Sequence, residues 1–480
     1  MTLTFIGVLL LLIGLPVALF GRVEALLALL IGCTILGGAS AINLPALGGS
    51  SIPPIQFALL LAGIRIFPAG SGQVRRVRHA VEANWALILY TLFGLTMAIA
   101  GPRLFRGEIA VPLLRSRLTA YLYAVDPLVP TPQNLTTAIY LIGTAMCAIV
   151  AYVACGGRRG PATLVRTGVA VAWINVVLGV LVAASRETPL GDVFALFRNG
   201  SYAMLDQQYG GFVRLSGLFP EASNYATYSF GWFVFMLECW MRDVMPRRTG
   251  TLALALLGIL VASTSSSAYV GLAAHGAVIA ARLLLPGALR SDKLVAMLVA
   301  LVVAGIAACL MIVALPAATA AFADMLQYMT VAKGQSASGL QRAFWARKGL
   351  EAFSVSHGLG IGPGSFRSSS LVTAILGSVG VIGMALAAIH VARVLKPLRA
   401  STYLPVADGR IAVGAAAGWA ALMLLVPYSV VLPSCDLGTD FAIFAGAALA
   451  LRASARRSAG VALREATPIV RGMDGMEIAR

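Results

Sequence analysis

Apolar residues fall in long blocks along this chain, separated by short clusters rich in Arg, Gly and Pro. A helix needs roughly 20 mostly apolar residues to cross a hydrocarbon core about 30 Å thick, because each residue rises about 1.5 Å. Reading the apolar runs between charge clusters places crossings near 4–20, 23–42, 55–69, 84–101, 135–155, 167–185, 222–241, 250–263, 267–285, 294–315, 371–392, 411–432 and 437–451. The pattern predicts an all-α polytopic membrane protein with about 12–14 transmembrane helices. The first run has no basic n-region, and Gly14, Leu15 and Pro16 do not resolve into a cleavage site, so it reads as a true span.

Composition agrees. Of 480 residues, 59% are hydrophobic and 11% charged, far from the quarter or so of charged residues usual in soluble domains. Positive charge is retained on the cytoplasmic side of short loops, and one parity collects it. Arg22, the cluster RRVRH (75–79), residues 157–166 and 241–248, Arg282 to Lys293, Arg393 to Arg410 and the tail from Arg452 hold 23 of the 36 basic residues. These are expected inside. Large outer loops are then expected near 102–134, 186–222 and 316–370, on one integral-membrane domain spanning 1–452. The polar tail 453–480 is expected to be cytoplasmic and disordered. The net charge of +17 is mostly a topology signal facing anionic membrane lipid, and it calls for no nucleic acid.

Cys33, Cys147, Cys155, Cys239, Cys309 and Cys435 lie in or beside spans and form no CxxC pattern. His79, His275, His357 and His390 lie at ligand spacing from no other His or Cys. No metal site, cofactor motif, internal repeat or soluble domain is indicated.

Polar and ionisable residues at membrane depth are expensive and mark function by default, so the outer loops hold the candidates. RLSGLFPEASNYATY (214–228) offers Arg214 and Glu221 just before an apolar run. Pro220 and Glu221 also suit an ordinary helix start, where a carboxylate favours the dipole. The flexible pair Ser216 and Gly217 would let this loop fold back over a site.

In the later loop, Ser338 and Gln341 fit a capping box for a helix running to about Val355. That helix would put Arg342 and Trp345 on one face and pair Arg347 with Glu351 at i, i+4. The turn GLGIGPGS (358–365) lacks the βαβ context of a dinucleotide fingerprint. It suits either an anion nest or close helix packing. Residues 187–223 carry net −2 and 321–370 net +3, so the later loop is the better anion binder. Tyr202, Tyr209, Phe212, Phe219, Trp345 and Phe366 could stack on sugar faces or form an interfacial belt.

Arg214-x-x-Gly217-x-Phe219 followed by Glu221-Ala222-Ser223 resembles the R-x-x-G-x-F…E-P/A-S pattern of the O-antigen and exopolysaccharide polymerase and O-antigen ligase superfamily. Arg342-x-x-Trp345 leading into Gly360-Ile361-Gly362-x-Gly364-Ser365 and Arg367-Ser368-Ser369 is similar to that family's second outer loop. LVASTSSSAYVGL (260–272) resembles its Ser-rich turn. The resemblance covers roughly half the chain. The middle turn lacks the Ser-Arg of many relatives. Ser369 and Ser370 stand where ligases often carry His-Asn, which favours a polymerase of exopolysaccharide type.

The resemblance implies a GT-C-like glycosyltransferase of the bacterial inner membrane, with its site facing the periplasm. It would join undecaprenyl-diphosphate-linked repeat units by metal-independent glycosyl transfer. In that reading Arg342 and Arg367, with Gly360, Gly362 and Gly364, hold the diphosphate, and Trp345 stands beside them. Arg214 contacts diphosphate or sugar, Glu221 is the base, and Ser223 and Tyr225 line the site. A flippase and a chain-length regulator are implied as partners, and no cofactor. The alternatives are an O-antigen ligase-type transferase and, in a different class, a flippase or transporter for lipid-linked oligosaccharide. A transporter would spread charge through mid-membrane positions, where Arg65 is the main hint.

Overall fold

The computed structural model describes residues 2–44, 50–66, 71–112, 123–185, 188–200, 208–209, 212–330 and 332–466. It is 75% helical, and its strands are two or three residues long, so the fold is all-α. In chain order the helices are α1 (Phe5–Phe20), α2 (Val23–Thr34), α3 (Pro54–Ile66), α4 (Ser71–Ala83), α5 (Trp85–Leu104), α6 (Pro132–Cys155), α7 (Gly160–Ala184), α8 (Pro189–Leu196) and α9 (Ala222–Met241). They continue with α10 (Pro246–Ala262), α11 (Ser266–Leu283), α12 (Ser291–Ala314), α13 (Pro316–Thr330), α14 (Ala337–Val355), α15 (Leu371–Leu395), α16 (Ala400–Tyr403), α17 (Gly409–Val431) and α18 (Thr439–Ala466).

A helix stands at each predicted crossing. Among the described residues, α5, α6, α7, α12, α15 and α17 are long and apolar enough to cross a membrane, and α1, α2 and α3 are apolar but shorter. The chain is a multi-pass membrane protein.

The centre is built from α6, α9, α17 and α18, which pack on one another with small residues and aromatic rings. A side chain at Gly446 of α18 would stand 2.3 Å from the Ala148 carbonyl oxygen of α6, the close approach that small residues permit between membrane helices. Trp232 and Phe235 of α9 meet Phe444 of α18 at 5.0 and 5.3 Å between ring centroids, within the range of favourable aromatic pairs. By contrast α12 has only Lys293 buried.

Several expectations need correction. The second run stops being helical at Thr34, not near residue 42, because Gly37 and Gly38 leave the helix to seat Phe219 and to bond the Leu218 carbonyl at 2.8 Å. RRVRH lies on a helix, α4, rather than in a loop. The loop 186–222 contains α8, and 316–370 contains α13 as well as the expected helix α14. The polar tail begins as helix, since α18 runs on to Ala466 through residues of good helix propensity. Residues 467–480, 113–122 and Tyr202 lie outside the described residues.

The segments predicted on one side do gather at one end of the bundle. Arg242 bonds the carbonyls of Ser401, Thr402 and Leu404, and Arg282 that of Tyr403. Arg452 bonds those of Val394 and Leu395, Arg393 that of Ala83, and Arg410 those of Gly156 and Gly157. The connections at the other end are likewise tied together: Arg367 to Pro112, Ser368 to Pro433, Asn134 to Pro363, and Gly38 to both Leu218 and Gly200. The two groups lie at opposite ends of α17, about 33 Å apart at 1.5 Å per residue.

Candidate functional site

The site lies at the end of α17 that holds Val430. There the segment 214–221 turns back on itself: the Phe219 amide donates to the Ser216 carbonyl at 2.9 Å, and Gly217 takes φ +47°, a conformation that favours glycine. The turn is anchored by buried Phe219, whose ring lies 4.8 Å from that of Tyr228. It delivers Glu221 to the N-cap position of α9, one residue before the first turn. The Glu221 carboxylate does not cap the helix. It accepts the Ser223 hydroxyl at 3.0 Å, and its own backbone carbonyl receives the Asn224 and Tyr225 amides. The charge therefore remains available to other groups.

Arg342 is carried by α14. This helix is capped by Ser336, whose hydroxyl accepts the Gly339 amide at 3.1 Å, so the cap is two residues earlier than the predicted Ser338. Two serines at i and i+2 make either start plausible in sequence; only Ser336 has the extended backbone of an N-cap. The Arg342 guanidinium donates to the Val430 carbonyl at 3.3 Å, and the Ser369 hydroxyl holds the Arg342 carbonyl at 2.6 Å. One turn on, Trp345 lies under Arg367, with the guanidinium carbon 4.3 Å from its ring centroid, a cation–π stack. The expected pair of Arg347 with Glu351 is replaced by Lys348 with Glu351 at 2.9 Å, and Arg347 is exposed.

Arg214 reaches the turn between α10 and α11, donating to the Thr264 carbonyl at 3.4 Å. Thr264 has φ +51°, an outlier for a β-branched residue, and this aims its carbonyl toward the arginine. Ser265 and Ser267 bond each other beside it at 2.8 Å.

Four charges thus converge from three separate segments. Burial, and next to it the nearby Arg342, hold Arg214 below the ordinary arginine value, while Glu221 opposes both. Burial lowers Arg342 and Arg367 as well, and Glu221 again acts in the opposite direction on each. Guanidinium pKa values start so high that all three stay charged. Among the described ion pairs, none joins Glu221 to an arginine. Buried Nε atoms of Arg214 and Arg367 have no hydrogen-bond partner. The result is a half-buried positive cradle, three guanidiniums around one carboxylate, with N–H donors left for a ligand.

The glycine-rich turn serves this cradle from behind. Gly360, Gly362 and Gly364 have φ +87°, +99° and +81°. A side chain on any of them would stand 2.4 Å from the backbone of Ser378, Met97 or Gln133 respectively. The Gly360 amide donates to the Ser356 hydroxyl and the Gly362 amide to the Ser378 carbonyl, so these two are engaged inside the protein. Gly380 kinks α15 at φ +60° to admit the turn. Close packing, rather than an anion nest, accounts for Gly360 and Gly362.

Ser223 is buried against Glu221, whereas Tyr225 points away: it is fully buried and its hydroxyl donates to the Asn175 carbonyl of α7 at 3.1 Å. The ring supports Gly217 from below, so Tyr225 braces the turn and does not line the cradle. Phe219 and Phe366 are core residues. Tyr209 and Phe212 are backbone partners in a short antiparallel strand pair. Thr264 and Val430 were given no role by sequence reasoning, and Ser369 was named only within the loop pattern, not as a partner of Arg342. Two of them act through backbone carbonyls, which no residue pattern reveals; only the hydroxyl of Ser369, two residues after Arg367, left a signal. Among the described residues, no three His, Cys, Asp or Glu side chains gather as a metal's ligand set. No family model, no curated protein and no solved structure matches this chain.

Proposed function

We propose that the chain is a bacterial inner-membrane polysaccharide polymerase of GT-C-like architecture, joining undecaprenyl-diphosphate-linked repeat units at the periplasmic face. The observation that supports it is the cradle itself, Arg214, Arg342 and Arg367 around Glu221, with buried Nε atoms of Arg214 and Arg367 unsatisfied by protein. Guanidinium forks suit phosphate oxygens. The excess positive charge at this end of the bundle fits an anionic leaving group in a lipid-lined site.

In the reaction, Glu221 takes the proton of a sugar hydroxyl on the acceptor. That oxygen forms a bond to the anomeric carbon of the donor glycan, and the bond from that carbon to the lipid diphosphate breaks. The diphosphate leaves with the electron pair, and the three arginines stabilise the charge it gains. Fixed donors aimed at a developing negative charge commonly contribute about 10²–10³ in rate each.

The test uses purified protein in liposomes with an undecaprenyl-diphosphate repeat unit, with and without EDTA, and reads glycan length. Wild type should extend glycans in EDTA, and Arg342→Ala and Arg214→Ala should each slow extension by about 10²-fold or more. Movement of lipid-linked sugar between leaflets without elongation would instead establish a transporter.

A further inference from the structure

A cleft lies at the end of the bundle opposite the cradle. It measures about 860 Å³ and lies between the α1–α2 turn and the α6–α7 turn, lined by Arg22, Glu24, Arg158, Arg159, Thr163 and Arg166. Four guanidiniums face one carboxylate. Among the described residues none of the four arginines makes an ion pair, in contrast to Arg242 and Arg282 at the same end. The N-terminal end of α7, a 25-residue helix, borders the same cleft, where the helix dipole favours anions.

A second feature says what kind of anion fits. From Arg166 an exposed stripe climbs α7 through Ala170, Trp173, Val177 and Leu181, all on one face at i, i+4 and i+3 or i+4 steps. Phe20, 85% exposed at the end of α1, stands two residues before Arg22 in the chain. A basic cleft therefore continues without a break onto an apolar, lipid-facing surface. A soluble anion would use the first feature only; a phospholipid uses both. Arginine-gathering ends are cytoplasmic, where anionic lipids collect.

We infer that this cleft is a binding site for the headgroup of an anionic phospholipid, with phosphate on the arginines, a headgroup hydroxyl toward Glu24, and an acyl chain along the α7 stripe.

The experiment measures lipid retention by the purified full chain in detergent, using native mass spectrometry with added phosphatidylglycerol, phosphatidylethanolamine or inorganic phosphate. The probes separate a lipid from a free phosphate. The cleft variant is Arg158→Gln with Arg166→Gln; the control is Arg75→Gln with Arg76→Gln, exposed on α4 at the same end. All four positions are exposed, and an unchanged unfolding temperature without lipid shows that both variants fold. Phosphatidylglycerol should bind in preference to phosphatidylethanolamine, about tenfold or more weaker in the cleft variant and unaltered in the control, given the usual strength of each basic residue near an anionic surface. Equal losses in both variants would reduce the site to diffuse charge and overturn the inference. So would displacement of the lipid by inorganic phosphate, or equal retention of the two lipids.

Discussion

Two clusters of arginines occupy opposite ends of the bundle, and the protein treats them differently. At one end Arg242 makes four bonds within the protein: to Glu238 at 3.2 Å and to the carbonyls of Ser401, Thr402 and Leu404 at 3.2, 2.6 and 3.0 Å. Arg282 shares Glu238, bonds the Tyr403 carbonyl and stacks on Trp419. These groups fix the loop between α15 and α17. At the other end Arg214 and Arg342 each make one long bond to a carbonyl, and Arg367 rests on a tryptophan face. A guanidinium has five N–H donors, and a buried donor without a partner is costly. Arg242 and Arg282 meet most of that demand within the protein, although buried Nε atoms of Arg393, Arg410 and Arg452 at the same end have no partner. At the cradle the protein supplies fewer acceptors, and in the proposed function the donors left over are those that a ligand would meet.

The largest test of this contrast removes the carboxylate from each cluster. Glu238 is fully buried between two arginines, so Glu238→Ala should cost about 3–5 kcal/mol, the usual penalty for leaving buried charge uncompensated. Glu221→Ala should change stability by less than about 1 kcal/mol, since no described ion pair depends on it, while abolishing glycan extension. Thermal unfolding in detergent gives both numbers. Equal destabilisation would mean that the two clusters are structural alike.

A pH titration sharpens the contrast at the cradle's end. Asp436, in the turn after α17, lacks an ion pair among the described residues, and burial pushes it up to about 6. The folded chain therefore binds a proton that the unfolded chain releases near pH 4. That stabilisation is full below about pH 4 and lost as pH rises through about 6, on the order of 3 kcal/mol. Asp436→Asn should remove this group's share of the slope of unfolding temperature between pH 4 and 6.5 and make the protein more stable than wild type at neutral pH. A slope unchanged in the variant would assign it to another group.

Lysine substitutions come next in size. Lysine carries the charge but not the planar fork. Arg242→Lys should lose two or three bonds at about 1 kcal/mol each, lowering stability by roughly 2–3 kcal/mol. Arg342→Lys should fold normally and elongate glycans about tenfold more slowly, if a bidentate phosphate contact is what it supplies. A wild-type rate in Arg342→Lys would say that charge alone suffices there.

Much of this architecture was legible in the sequence because membrane helices announce themselves by apolar length, and the connections that share one end of the bundle by their arginines. Spacing alone put Arg342 and Trp345 on one face of α14, and the structure adds Arg367, from the next segment, stacked on Trp345. What could not be read depends on contacts between distant residues. The end of α2 at Thr34 is set by Phe219, far along the chain. The glycines of 358–365 are explained only by Ser378, Met97 and Gln133, which belong to three different helices. Tyr225 shares a helix face with Glu221 by spacing, yet it turns to Asn175, because α7 supplies a carbonyl acceptor that no local pattern could forecast.

The smallest expected effect is the most specific. Arg347 sits on α14 five residues after Arg342, about 140° around the helix at 100° per residue, exposed and unpaired with Glu351, which Lys348 takes. Arg347→Ala removes as much charge from the loop as Arg342→Ala does, so a mechanism that merely attracts anionic lipid to a positive loop would suffer equally from either. A mechanism that depends on the cradle would not. Arg347→Ala should therefore keep stability within about 0.5 kcal/mol and extension rate within about twofold, at low salt where any long-range attraction is strongest. A large loss with Arg347→Ala would show that the reaction responds to the field of the whole loop, and the distinction between satisfied and unsatisfied arginines would no longer explain where catalysis occurs.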